Sequence, residues 1–232
     1  MCGNNCKFEN GEWRSEFLNY DRSPTVYLRR NWIDALPGIF AGPPSEVSCD
    51  AECSILLIAK NARPQELERI MDDAAGGVSS IRQVQLVLGP LSSNGQLKAA
   101  TRELVLAILG DTWAPMFVLK KHFNRGRPHR CCPSLDSMFP QGHSYYPGHP
   151  AYPSGHATQA FALAYVYATM FPTLSQDLIH AAQGVALRRE IAGLHYPSDS
   201  LAGQLLASML VDQWLEDGEF RRLVSRARVE WP

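Results

Sequence analysis

The stretch "AYPSGHATQAFALAYVYA", Ala151–Ala168, decides the fold. From Gly155 to Pro172 the chain carries no Asp, Glu, Lys or Arg and is rich in alanine. A helix that is apolar on every face is a buried core helix. It stops at Pro172, short of the roughly 18 apolar residues that mark a membrane span. The turn that opens it is Pro153-Ser154-Gly155-His156. Ser154 suits an N-cap, and Gly155 lets backbone or ligand approach closely. The free N–H groups of the first turn form a ready anion site, with His156 beside it. Taken alone, the turn is a helix cap.

Outward from this helix the signals are again helical. "PQELERIMDDAAGG" (Pro64–Gly77) has Pro near its start, acids in its first turns and Gly-Gly after its end. "NGQLKAATRELVLAILGDTWAPMFVLKKHF" (Asn94–Phe123) is a long amphipathic run. "TLSQDLIHAAQGVALRREIAGL" (Thr173–Leu194) and "PSDSLAGQLLASMLVDQWLEDGEFRRLVSRA" (Pro197–Ala227) follow with short Pro/Gly breaks. "IRQVQLVLG" (Ile81–Gly89) alone reads as strand or helix equally well. The expected fold is therefore all-α, a single-domain helical bundle over residues 1–232. Residues 1–48 are expected to form an irregular N-terminal wrap, and residues 95–218 the core bundle. A long irregular loop, Asn124–Pro153, joins the two central helices. Loops of that length in a compact domain are usually functional.

The bulk numbers exclude more than they assert. The 232 residues are 45% hydrophobic and 19% charged, with a net charge of −1. That balance offers no field for nucleic acid, and no nucleic-acid partner is expected. The first residues lack a basic segment followed by an apolar run, so no secretory signal is read. No transmembrane segment is expected, and the place expected is cytoplasmic, or periplasmic if a signal peptide has been removed. The six cysteines fall as Cys2/Cys6, Cys49/Cys53 and Cys131/Cys132. Their gaps do not match a zinc ribbon, and in a cytoplasmic chain they read as reduced thiols. A homo-oligomer stays open.

Charge is concentrated where the loop begins. Between Thr112 and Thr158 there are five basic residues (Lys120, Lys121, Arg125, Arg127, Arg130) and one acidic residue, Asp136. Lys120 and Arg127 are seven apart, one helical face if the helix persists, whereas fraying at Asn124 and Gly126 leaves the guanidinium at its end. An ammonium and a planar guanidinium together suit a tetrahedral oxyanion. Further on, "RREIAGLHYPSDSLAG" spaces Arg189, His195 and Asp199 six and four apart. Gly193 and Pro197 end one helix and open another near His195. Asp199 can then accept a hydrogen bond from one ring nitrogen and leave the other as nucleophile or metal ligand.

The three segments in this order, Lys120-x6-Arg127-Pro128, Pro153-Ser154-Gly155-His156 and Arg189-x5-His195-x3-Asp199, resemble the type 2 phosphatidic acid phosphatase and vanadium-dependent haloperoxidase superfamily. The resemblance covers about Lys120 to Gly203. It departs at Arg188, where the family usually has Ser. It implies an all-α bundle with the anion site at helix ends and in the long loop. Lys120, Arg127 and Arg189 would neutralise phosphate oxygens, with hydrogen bonds from Ser154 and the Gly155 N–H. His195 would attack phosphorus, Asp199 would orient it, and His156 would serve as acid and then base. The substrate implied is a small phosphorylated molecule, a monoester or diphosphate of an organic alcohol, and no metal or cofactor is expected. The alternative within the family is a haloperoxidase with vanadate as cofactor and His195 as its ligand. "HPAYPSGHAT" is similar to that branch, while the chain's shortness and "KHFNRGRP", with its extra Arg125, resemble the phosphatases. Tyr145, Tyr146, Tyr152, Phe139 and Met138 are expected to form an apolar rim. His122, His129, His143 and His149 are expected to line the pocket or face solvent.

Overall fold

A computed structural model describes residues 6–44, 46–75, 82–89, 97–132 and 134–231, with the side chains of 10 and 46–49 left aside. The fold is all-α. Among the described residues there is no strand, only an isolated antiparallel bridge between Lys7 and Arg125. The α-helices are α1 (Arg30–Ile39), α2 (Glu46–Ala59), α3 (Arg63–Ala74), α4 (Arg82–Leu86), α5 (Ala99–Phe123), α6 (Pro128–Cys131), α7 (Gly155–Met170), α8 (Ser175–Ile191), α9 (Pro197–Glu216) and α10 (Gly218–Arg228). The ambiguous 81–89 run is helical over Arg82–Leu86.

Helix α7 is the buried centre, as its composition requires. Ala157, Ala160, Ala162, Leu163, Ala164, Val166 and Tyr167 are fully enclosed. It packs mainly on α8 and α9. A Cβ placed on Gly203 of α9 would lie 2.7 Å from the Ser154 carbonyl oxygen and 2.8 Å from the Ala157 Cβ. Glycine there allows α9 to touch the first turn of α7.

Helix α5 runs through Pro115, whose missing N–H leaves the Asp111 carbonyl without its usual helical partner. The buried Asp111 carboxylate accepts from the Val26 and Tyr27 N–H groups at 2.6 and 2.9 Å and from Trp214 Nε1 at 3.1 Å. One acid thus ties the N-terminal segment and α9 to the middle of α5. At the start of α5, Glu230 accepts from the Ala100 and Thr101 N–H groups at 2.8 Å each, where the helix's positive end favours a carboxylate. Helical packing therefore continues past residue 218 through α10, with Phe220, Leu223 and Ala227 buried.

The N-terminal segment is less irregular than expected. It holds three short 3-10 turns and the ten-residue α1. It packs on α5: Phe17 stacks on Phe117 at 5.6 Å, and Tyr20 meets the same ring edge-on at 5.2 Å.

The expectation of reduced thiols is corrected. Cys6 is bonded to Cys131 and Cys53 to Cys132, with Cα separations of 5.8 and 5.7 Å. The adjacent pair Cys131-Cys132 thereby staples both the N-terminal segment and α2 to the loop after α5. Disulfides persist in oxidising surroundings, not in a reducing cytosol. Cys2 and the side chain of Cys49 lie outside the described residues.

Candidate active site

The long loop begins where α5 stops. Asn124 takes the left-handed conformation, φ 48°, and its N–H donates to the Lys120 carbonyl at 2.9 Å. Of the two alternatives, the helix ends at Asn124, and Lys120 and Arg127 do not share one helical face. The helix ends before Arg127, which instead caps the four-residue α6 ahead of Pro128. The two cations still meet, because the turn folds the loop back over the end of α5.

Each predicted residue has a definite place. Ser154 caps α7, accepting from the Ala157 N–H at 3.4 Å. Its own N–H donates to the Asp199 carbonyl at 2.9 Å, which ties the turn to the start of α9. His195 lies in the link between α8 and α9, with Nδ1 3.3 Å from Asp199 Oδ2 and Nε2 3.0 Å from an Arg127 Nη. A carboxylate accepts and a guanidinium donates, so Nδ1 carries the hydrogen and Nε2 offers its lone pair. Burial first, then the cations Arg127, Lys120 and Arg189, hold the His195 pKa well below the ordinary histidine value, so the ring is neutral.

His156 projects from the first turn of α7. Its Nε2 lies 3.0 Å from the Asp73 carbonyl. Since a carbonyl only accepts, Nε2 bears the hydrogen and Nδ1 the lone pair. Burial, then Arg189, lowers its pKa to about 3.

The cations differ in what engages them. Lys120 is fully buried, and its ammonium donates to the carbonyls of Pro150, Ala151 and Pro153 at 2.9, 3.3 and 2.6 Å. It therefore braces the backbone leading into the Ser154 turn. Arg127 donates to the carbonyls of His149 and Leu194 at 2.9 and 2.8 Å. Arg189 is the least engaged. One Nη reaches the Ile70 carbonyl at 3.4 Å, and its buried Nε has no partner among the described residues. Burial lowers the pKa of both arginines to about 10, leaving them charged. A buried guanidinium with an unpaired donor is costly, and an anion would satisfy it.

The three cations and both histidines, His156 and His195, face one cavity of about 340 Å³. Lys120, Arg127, Gly155, His156, Arg189 and His195 lie together on its lining. Asp199 and Ser154 lie outside the lining, as supports. The rim is not the one expected. Tyr145 and Tyr146 contribute, but Tyr152 packs against Phe123 and Phe40, and Phe139 and Met138 lie elsewhere. The apolar wall comes instead from Phe17, Trp113, Met116 and Phe117. Of His122, His129, His143 and His149, His149 lines the cavity and His122 is exposed. His129 is half-buried against Tyr146, and His143 sits beside Phe139.

Several supporting residues carry no sequence signal of their own. Glu52 and Arg125 pair at 2.8 Å, and Arg125 donates to Asp199 Oδ1 at 2.6 Å. Asp73 pairs with Arg188 at 2.6 Å. Only the extra Arg125 and the unusual Arg188 stand out along the chain, and both are explained by these buried carboxylates.

A family model described as "PAP2 superfamily" matches residues 100–215, half of the chain. The chain belongs to the PAP2 superfamily. The match contains Lys120, Arg127, Ser154, His156, Arg189, His195 and Asp199. An acid phosphatase of Zymomonas mobilis is 32% identical over 80 residues, 34% of this chain and 30% of that protein. A lipid A 1-phosphatase of Rhizobium johnstonii is 35% identical over 88 residues, 37% of this chain and 35% of its own length. A lipid A 1-phosphatase of Rhizobium etli is 34% identical over 88 residues, 37% of each chain. This PAP2 chain thus spans about a third of the length of the curated relatives it matches. A solved structure of "the first transmembrane PAP2 type phosphatidylglycerolphosphate phosphatase from Bacillus subtilis" aligns with 87% of this chain and 92% of its own, at 20% identity. Its TM-score of 0.34 is too slight a likeness to bear on the fold.

The relatives overturn two expectations, a cytoplasmic place and a set of partners free of membranes. Two of them are named as lipid A 1-phosphatases, enzymes named for a lipid substrate. Neither expectation is kept. Among the described residues no helix is long and apolar enough to cross a membrane.

Proposed function

We propose that the protein is a phosphatase that hydrolyses a phosphate monoester or diphosphate of an organic alcohol through a phosphohistidine on His195. One observation carries the reading: a neutral His195, fixed by Asp199, directs its Nε2 lone pair toward a cavity shared with two buried guanidinium groups and His156. The acid phosphatase and lipid A phosphatase names of the relatives support the same reaction class.

In the geometry described, an Arg127 N–H covers the Nε2 lone pair. A phosphoryl oxygen competes for that N–H and uncovers the nucleophile as it binds. Arg189 Nε, without a partner, supplies a second donor. The Gly155 N–H, at the positive end of α7, supplies a third. These cations of the chain do the charge neutralisation, and the proposal needs no metal. Nε2 then forms a bond to phosphorus as the P–O bond to the leaving group breaks. Charge on His195 is balanced by Asp199 through Nδ1–H.

His156 protonates the leaving oxygen from Nδ1, keeping its Nε2–H on the Asp73 carbonyl. Its low pKa belongs to the anion-free cage. A phosphate dianion opposes the three cations and draws a proton onto the ring. In the second step the neutral ring takes a proton from water as water attacks phosphorus, and the P–N bond breaks with its electron pair returning to Nε2.

The test is hydrolysis of an aryl phosphate by the wild type and by His195→Ala. The reading expects phosphate release by the wild type, competitive inhibition by vanadate, and loss of turnover by at least about a thousandfold in the variant. Equal rates for the two proteins would exclude His195 as nucleophile.

A further inference from the structure

Arg188 precedes the third arginine of the site, and the structure shows what it touches. Arg188 and Asp73 are both buried, at 5% and 1% exposure. Arg188 Nε donates to Asp73 Oδ2 at 2.6 Å and an Nη reaches Oδ1 at 3.3 Å. The fork joins α8 to the last turn of α3. Gly184 makes room for it: a Cβ there would lie 3.1 Å from an Arg188 Nη.

The same residue Asp73 meets His156 through its main chain, accepting from Nε2 at 3.0 Å. It sits in the last turn of α3, where carbonyls lack their intrahelical partners and the helix end is negative. One turn earlier, the Ile70 carbonyl accepts from Arg189. The end of α3 thus supports both the third arginine and the proposed acid. Arg188 also brings a second positive charge beside Arg189, and the Asp73 carboxylate balances it.

We infer that Asp73 and Arg188 are positioning residues for His156: their ion pair holds the end of α3 so that the Asp73 carbonyl fixes Nε2–H and leaves Nδ1 to face the leaving oxygen. The inference rests on the phosphatase reading. It predicts that breaking the pair harms the proton-transfer role more than the phosphoryl cage.

Leaving groups of different basicity separate the two. A nitrophenolate departs without protonation, whereas an alkoxide needs the acid. The experiment measures kcat/KM for wild type, Arg188→Ser and Asp73→Asn on p-nitrophenyl phosphate and on a simple alkyl phosphate. Misplacing a catalytic group by about 1 Å costs up to about a hundredfold. The expected loss is about tenfold or more on the alkyl ester and under about threefold on the nitrophenyl ester, with partial recovery in Arg188→Lys. Equal losses on both esters, or no loss on either, overturn the inference. A His195→Ala control identifies a failure of the phosphatase reading itself, because that variant would then match the wild type. If the variants do not fold, the ring ¹⁵N shifts of His156 in the wild-type protein decide. A hydrogen on Nε2 at neutral pH is expected, and a hydrogen on Nδ1 overturns the inference.

Discussion

Asp199 Oδ2 lies 3.3 Å from His195 Nδ1 and also accepts the Tyr196 N–H at 2.9 Å, while Oδ1 takes Arg125 at 2.6 Å. One carboxylate therefore starts α9, orients the proposed nucleophile and closes a buried ion pair with α2 through Glu52. Three donors on its two oxygens hold the carboxylate against the imidazole. The fold and the chemistry share this residue.

On the proposed function, Arg189 is expected to trade stability for anion binding. Its Nε is buried without a partner among the described residues. Replacing such a charge with an apolar side chain of similar length is expected to stabilise the free protein, by about 1–4 kcal/mol. Arg189→Met should therefore raise the thermal midpoint while lowering kcat/KM by about a hundredfold or more. Inorganic phosphate should raise the midpoint of the wild type and leave that of the variant unmoved. Calorimetry with and without phosphate checks both.

Gly203 holds the Ser154 turn by lacking a side chain. Gly203→Ala places a methyl 2.7 Å from the Ser154 carbonyl and 2.8 Å from the Ala157 Cβ. Overpacking of this kind costs about 1–3 kcal/mol. Denaturant unfolding should show that loss, and activity should fall with it, because the displaced turn carries Gly155 and His156.

The buried histidines set a pH dependence of stability. The folded pKa of His156 is lowered to about 3 and that of His129 to about 4, against an unfolded value near 6.5. Between those values the unfolded chain binds more protons than the folded one, so stability rises with pH. The contribution is complete above about pH 6.5 and is lost as the pH falls toward 4. Thermal midpoints in phosphate-free buffer should decline through that window. A flat profile would show that these rings are not buried neutral.

The disulfides reach the site through Glu52. Cys53 follows Glu52, whose carboxylate accepts from Arg125 at 2.8 Å and from the Ser198 N–H at 2.7 Å. The bonds close separations of 125 and 79 residues, for which about 2–4 kcal/mol each is typical. Reduction should lower the thermal midpoint. It should also slow turnover, because Glu52 and Arg125 then hold Asp199 less firmly. Free-thiol titration alongside the rate measurement checks the link.

Much of this was legible along the chain, for identifiable reasons. The charge-free run after Gly155 could only be a buried helix, and Ser154 is its cap. The spacing of His195 and Asp199 across Pro197 placed an acid in the first turn of a new helix, one turn from the ring. What failed depended on distant partners. The apolar wall comes from Phe17, about a hundred positions before Trp113 and Phe117, so local composition pointed to the wrong aromatic residues. The cysteines pair across 125 and 79 residues, a connectivity that spacing does not encode. Asp73 had no mark at all until Arg188 was seen to need a carboxylate.

The central claim is that His195 Nε2 forms the bond to phosphorus. The most direct measurement is rapid quench of the wild-type protein with a labelled aryl phosphate, followed by peptide mass spectrometry under alkaline conditions that preserve phosphohistidine. The account predicts a phosphoryl group on His195 that forms within the first turnover and accumulates in a variant lacking His156. Turnover without any phosphorylated enzyme, or a phosphoryl group on another residue, would contradict it.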